Sequence, residues 1–184
     1  MESVLLLGDP RLRTVSQKIE DFNRNELHRS ISRLQNTLEE FRRIHGFGRG
    51  IAAPQLGIDL RMIAINLGLG SQMIINPVIT RKAETMFRLW DDCMSFPNLL
   101  VKVQRCTSIS LRYQDESGQV QYWNELNRAE SELMQHEIDH LDGILAVDRA
   151  IDRQSLVCRS EYERNRDYFI RQVDHQMEPE LNRA

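Results

Sequence analysis

Two histidines four residues apart, His136 and His140, constrain the fold of this chain most, because a shared metal ion requires both on one helical face. Side chains at i and i+4 lie one above the other on a helix, so both imidazoles can reach one ion. Glu137, beside the first histidine, can then contact a metal-bound water. The sequence therefore predicts a metal-binding helix over about 128–141.

The rest of the chain predicts an α+β fold with a mostly antiparallel sheet. Apolar residues recur every three or four positions over 24–45, which predicts a helix that ends at Gly46. Short β-type runs occur at 61–66, 73–80, 99–103, 107–113 and 120–123, and residues 115–118 form a turn between the last two. We also expect an N-terminal arm at 8–12, a polar helix over about 154–173 and a fraying tail from 174 to 184.

Composition excludes several classes of protein. The 184 residues fit one domain spanning 1–184, and 41% hydrophobic with 28% charged residues argue against disorder. A net charge of -3 is not that of a duplex-binding protein, and no apolar run approaches a membrane span. Three widely spaced cysteines do not form a disulfide framework. We therefore expect a cytoplasmic protein that binds neither nucleic acid nor membranes.

A catalytic metal needs three protein ligands and an open position, so the two histidines are one ligand short. A third histidine in H-E-x-x-H-x-x-G-x-x-H is excluded, because Ala146 stands at that position. Glu161 or Glu163, about a helix and a turn downstream, would complete a zinc peptidase site. Cys93 is the third option, since a thiolate binds divalent iron or zinc well. Spacing alone leaves the last two options open.

Two further segments have the composition of functional turns. Small residues fill 48–55, where Gly48, Arg49 and Gly50 precede two alanines, so this backbone can approach a ligand closely. The segment ends at Gln55, whose amide can donate a hydrogen bond. The second segment, 91–95, is a polar turn around the one cysteine that has acidic neighbours.

These three segments, taken in order, resemble the peptide deformylase family, whose motifs are G-x-G-x-A-A-x-Q, E-G-C-x-S and H-E-x-x-H. The resemblance begins at 8–13, similar to the family's N-terminal arm, and continues through Arg105 to 135–143. It implies antiparallel sheets packed around a central metal-binding helix. It also implies an enzyme that hydrolyses the formyl group from N-formylmethionyl peptides or a related formamide, and releases formate.

The resemblance also assigns roles to single residues. It implies Cys93, His136 and His140 as ligands of one metal ion, Glu137 as the acid/base, and Gln55 with the backbone N–H of Met94 as the oxyanion hole. Ferrous iron is the metal implied, and zinc, nickel or cobalt can substitute. Arg105 is expected to pair with Asp91 and so support the cysteine turn.

The chain departs from the family pattern at charged residues in three segments. Arg49 replaces an aliphatic residue between the glycines, Asp91 and Asp92 replace Glu-Gly, and Glu132 lies one helical turn before His136. By resemblance, a substrate pocket is expected at Gly48, Arg49, Gly50, Asp91, Asp92, Glu132 and Leu133. Either Arg49 and Glu132 pair or face solvent at the rim, or they make the pocket polar and change the selectivity. Two other functions stay open: the zinc endopeptidase, and a catalytically degenerate homologue that serves as a binding module.

Overall fold

The computed structural model describes residues 2–175. Its first helix, α1, spans Asn25–His45 and ends at Gly46, whose left-handed φ of 72° lets its N–H bond to the carbonyl of Arg42. Its buried stripe runs from Leu27 to Phe41. The first predicted helix is thus confirmed.

Within residues 2–175, eight strands form two antiparallel sheets. They are β1 (Gly50–Ala52), β2 (Met62–Asn66), β3 (Ser71–Lys82), β4 (Met86–Asp92), β5 (Leu99–Cys106), β6 (Ile109–Gln114), β7 (Val120–Trp123) and β8 (Leu156–Cys158). The larger sheet has the order β1-β2-β3-β6-β7, and the smaller has the order β4-β5-β8. The predicted α+β class is confirmed. The sequence analysis missed β1 and β4, which carry the two turns of the site.

The second helix, α2, spans Arg128–Leu141, the range predicted from the sequence. It begins with a capping box, in which the Asn127 side chain accepts from the N–H of Glu130 and the Glu130 side chain accepts in return. Charged side chains within it are buried, including Glu132, Glu137 and Asp139. Buried charges are rare without partners, so this helix is built around a polar site.

Alternate side chains of β2 place α1 and α2 on opposite faces of the larger sheet. Met62 and Ala64 pack in the cluster that contains the α1 stripe. Ile63 and Ile65 pack in the cluster that contains Leu133, Met134, Ile138 and Leu141 of α2. The period of two along a strand thus separates two cores and holds α2 beside β1.

The prediction of one polar helix over 154–173 is wrong. The chain forms β8, then two short helices, α3 (Arg159–Arg164) and α4 (Arg166–Ile170). The reason is tertiary: β8 pairs with β5, and Trp90 packs against Tyr162 and Phe169 while its indole N–H donates to the Phe169 carbonyl at 3.0 Å. These contacts override a weak helical propensity.

The two chain ends behave differently from each other. The predicted N-terminal arm packs on the domain through Leu12, which is fully buried, and just before it the N–H groups of Leu5 and Leu7 bond to the carbonyls of Gln55 and Ser95, each at 2.8 Å. At the other end, Asp174 pairs with Arg88, and the remainder of the predicted tail, 176–184, lies outside the described residues. No helix within 2–175 has the length and apolarity that crossing a bilayer requires.

Candidate metal centre

One thiol and two imidazoles converge in the interior. The Sγ of Cys93 and the ring nitrogens of His136 and His140 all lie within 4.8 Å of one another, and all three residues are buried. The Sγ of Cys93 is 3.2 Å from Nε2 of His140. β4 ends one residue before Cys93, and α2 presents both histidines on one face. Two segments distant in sequence thus supply one cluster.

The cluster fits a soft or borderline divalent cation. Thiolate and imidazole are the donors that iron and zinc prefer. Burial and the positive charge of His136 lower the pKa of His140 well below its usual value, so its ring is neutral. Burial would lower the pKa of His136 as well, but Asp91 raises it well above its usual value, so His136 would release a proton on binding a metal ion. Within residues 2–175, Oε2 of Glu137, beside the cluster, is buried without a hydrogen-bond partner. Leaving such an atom unpaired is costly, which is consistent with a polar ligand in the site.

Asp91 orients the first histidine. Its Oδ2 lies 3.0 Å from Nδ1 of His136 and accepts a hydrogen bond from Arg105 at 3.1 Å. Burial raises the pKa of Asp91, but the attraction of His136 and Arg105 outweighs this effect and lowers it to about 2. The ionised carboxylate thus holds Nδ1 and leaves Nε2 directed to the cluster, as in carboxylate–histidine–metal sites.

The predicted pairing of Arg105 with Asp91 is confirmed. Asp91 borders the cavity, as expected for a substrate contact, but it is 2% exposed and its contacts are internal. The sequence analysis missed the link to His136 and the role of Asp139, which binds Arg105 and, at 2.7 Å, Arg149. An acidic residue on the buried face of α2 was the available signal for this network.

Gln55 holds a fixed orientation beside the thiol. It lies in a 3-10 turn, Ala53–Leu56, directly after β1, and its Oε1 accepts the N–H of Ala52 at 2.9 Å. Its Nε2 is therefore left to face Ser95 Oγ at 3.2 Å and Cys93 Sγ at 3.6 Å. The arm bonds to the backbone of both Gln55 and Ser95, so it braces the amide and the cysteine turn from behind.

Glu137 is a buried carboxyl group with properties of a proton carrier. Burial raises its pKa to about 7, while the positive charge of His136 opposes that shift. Gly50 of β1 packs against it so closely that an added Cβ would lie 2.7 Å from Oε1. A group whose pKa is near neutrality can both accept and return a proton at physiological pH.

A cavity of about 480 Å³ opens onto this cluster. Its inner end includes Gln55, Cys93, His136 and Glu137. Its walls include Met94 and all the predicted pocket residues: Gly48, Arg49, Gly50, Asp91, Asp92, Glu132 and Leu133. The outer wall comes from the C-terminal segment, with Arg159, Tyr162, Glu163 and Arg166. Of these four residues, the sequence pointed only to Glu163, and then only as a possible ligand of a zinc peptidase site.

Comparison with known proteins identifies the family. The model of the family "Polypeptide deformylase" matches residues 1–155. The peptide deformylase of Thermotoga neapolitana is 33% identical over 159 residues, which cover 86% of this chain and 93% of that protein. The chain belongs to the polypeptide deformylase family. It is a metal-dependent hydrolase that removes the N-formyl group from peptides.

Solved deformylase structures have the same fold. The crystal structure of the Thermotoga maritima peptide deformylase has a TM-score of 0.74 at 32% identity, covering 83% of this chain and 99% of that one. The structure from Legionella pneumophila has a TM-score of 0.76 at 28% identity, covering 94% and 96%. The antiparallel deformylase architecture predicted from the motifs is therefore confirmed.

The charged departures from the deformylase pattern all have partners. Arg49 forms an ion pair with Glu132, which is 1% exposed, and Asp92 accepts from Arg159 at 2.8 Å. Asp92 needs no left-handed backbone, because it lies in β4 opposite Leu100. Arg159 also donates to the carbonyl of Pro97 at 2.6 Å. Asp92, an acid where the family has glycine, was the sequence signal that could have predicted a basic partner such as Arg159.

The two glutamates proposed for a zinc peptidase site do not join the cluster. Glu161 bonds instead to Arg164 at 2.8 Å and to Asn165. Glu163 is exposed and borders the cavity at its outer wall. In the described part of the chain, the third donor of the three-residue cluster is Cys93. The endopeptidase alternative therefore loses its ligand.

Proposed function

We propose that Cys93, His136 and His140 hold one ferrous ion, for which zinc, nickel or cobalt can substitute, and that this ion serves the deformylation of peptides. The observation that carries the proposal is the convergence of one thiol and two imidazoles beside buried Glu137. A divalent cation held there would polarise a carbonyl and lower the pKa of a bound water toward neutrality.

The protein's own groups would carry the remaining chemistry. Glu137 accepts a proton from the attacking water and returns it to the leaving amine, a role to which a pKa of about 7 is suited. Gln55 Nε2 and the backbone N–H of Met94 stabilise the oxygen that gains charge, and each such donor typically lowers the barrier by about 3 kcal/mol. Water and the formamide are consumed, and formate and a free amine are released.

The remaining groups would keep this arrangement in place. Asp91 and Arg105 fix His136 and the end of β4, and Gly48 and Gly50 leave room for the side chains of Met94 and Glu137. We assign the whole of 1–184 to this one catalytic domain. Residues 2–175 contain three unpaired cysteines, and the thiol at Cys93 must stay reduced, which supports a cytoplasmic location.

Metal analysis of anaerobically purified protein, combined with a formate-release assay, tests the proposal. We expect one metal ion per chain and formate release from formylated peptides that follows the metal content. Cys93→Ser should lose the ion and the activity, whereas Cys158→Ser, on the exposed cysteine, should keep both.

Three results would overturn these assignments. Full metal retention in Cys93→Ser would remove the thiolate from the ligand set. Unchanged kcat in Glu137→Gln would remove the acid/base. Absence of formate at every metal loading would favour the degenerate homologue that acts as a binding module.

A further inference from the structure

An ion pair crosses the cavity close to its reactive end. Arg49, between the two glycines that lead into β1, pairs with Glu132 of α2 and donates to the carbonyl of Ala129 at 3.1 Å. Both side chains border the cavity. The Glu132 side chain is 2% exposed and that of Arg49 is 22% exposed, so the guanidinium is the more accessible member of the pair.

The pair lies within reach of the side chain of a substrate's first residue. Glu132 and Leu133 lie one helical turn, about 5.4 Å, before His136 and Glu137 on the same face of α2. Arg49 directly precedes Gly50, which packs on Glu137. In a formylated peptide, the Cβ of the first residue is three covalent bonds, about 4 Å, from the formyl carbon. A side chain longer than one or two atoms can therefore reach the part of the cavity wall that Arg49 and Glu132 form.

Such a wall disfavours an apolar side chain. A thioether or aliphatic chain packed here would take water from the ion pair and offer no hydrogen bond in return. An amide or hydroxyl group would offer an acceptor to the guanidinium. Because the carboxylate of Glu132 already balances the charge of Arg49, the pair needs no negative charge from the substrate. A neutral hydrogen-bond acceptor is therefore sufficient.

We propose that the Arg49–Glu132 pair selects formylated peptides whose first residue has a neutral polar side chain with a hydrogen-bond acceptor, in preference to methionine. The inference rests on the deformylase function proposed above and specifies its substrate. Arg49 is the specificity-determining contact, and Glu132 holds it in place.

Side chains of nearly equal size separate polarity from volume. We would measure kcat/KM for formate release from formyl-Gln-Ala-Ser and formyl-Met-Ala-Ser, and from formyl-Asn-Ala-Ser and formyl-Leu-Ala-Ser. We expect the polar member of each pair to be favoured at least about 10-fold, because sites that hydrogen-bond a substrate group reject isosteres that lack it. This comparison uses the unaltered protein.

Two variants assign the preference to the pair. Arg49→Leu combined with Glu132→Leu removes both charges, so neither is left buried alone, and should reverse the Gln-to-Met preference. Glu132→Gln leaves Arg49 without its counter-charge and should raise the ratio of formyl-Glu to formyl-Gln hydrolysis several-fold. The exposed pair Arg81–Glu125 gives the control, because Arg81→Gln with Glu125→Gln should leave every ratio unchanged.

The outcomes separate this inference from the proposed function. Formate release that favours formyl-Met over formyl-Gln, or that treats them equally, overturns the selectivity and leaves the deformylase intact. A polar preference that persists in the double leucine variant overturns the role of the pair. Absence of formate from every peptide at full metal loading overturns both the function and the inference.

Discussion

The substitution Gly50→Ala tests whether Glu137 must occupy its observed position for proton transfer. An alanine Cβ there would lie 2.7 Å from Oε1, 3.0 Å from Cδ and 3.1 Å from Cγ of Glu137. Relieving that overlap to an ordinary contact of 3.4 Å moves the carboxylate by about 0.7 Å. Displacements near 1 Å cost up to about 100-fold in rate, so we expect Gly50→Ala to lower kcat by roughly 10–100-fold. This corresponds to about 1.4–2.7 kcal/mol of barrier.

The assay pairs steady-state formate release with metal analysis of the same sample. Gly50→Ala should keep one metal ion per chain, because the three atoms nearest to the added Cβ all belong to Glu137, which is not one of the cluster donors. Gly70→Ala is the matched control: nothing lies within 4 Å of its added Cβ, but its φ of +96° strains an alanine. It should lose stability by about 1–3 kcal/mol and keep its kcat when folded.

Two results would refute this reasoning. A kcat within twofold of the unaltered protein, at full metal content, would show that the position of the Glu137 carboxylate does not limit the reaction. Loss of the metal in Gly50→Ala would show that the contact supports the ligand set rather than the proton carrier.

Three other perturbations test the ligand support and the core. Asp91→Asn should weaken metal affinity about 10–100-fold, measured by competition with a chelator, because the amide cannot replace the negative charge beside His136; unchanged affinity would contradict that role. Chelator treatment should lower Tm by about 5–10 °C in scanning calorimetry if the metal is present at about 100 times its Kd, and Cys93→Ser should abolish that shift. Leu34→Ala, at a fully buried position of α1, should cost about 2–5 kcal/mol in denaturant unfolding, and a smaller loss would indicate that the core refills the cavity.

The sequence predicted those elements whose signals are local. The bounds of α2 follow from the cap at Asn127 and from the glycine at 143, where an added Cβ would lie 2.6 Å from the Arg13 carbonyl. β1 has only three residues, too few to show a period, and β4 reaches the site through residues that do not alternate cleanly. The prediction of one helix over 154–173 was wrong because that segment packs against Trp90, more than 60 residues away in the sequence.

The metal-binding residues were more predictable from the sequence than the residues that hold them in place. The spacing of His136 and His140 indicates a metal site, the family resemblance adds Cys93, and the structure brings the three together. The links from Asp91 to His136 and from Asp92 to Arg159 join residues 45 and 67 positions apart. Spacing carries no signal for such pairings, because they depend on how strands and helices pack in three dimensions.

The charged departures from the family pattern lie on the walls of the cavity. At its inner end, the residue types that the reaction needs are kept: a thiol, two imidazoles, an amide and a buried carboxyl group. Each departure is matched across the cavity, Arg49 by Glu132 and Asp92 by Arg159. Removing only Arg49 would leave the carboxylate of Glu132 buried without its partner, which typically costs about 3–5 kcal/mol. Changing both to leucine removes that penalty, so the double leucine variant should stay folded where Arg49→Leu alone would destabilise the protein.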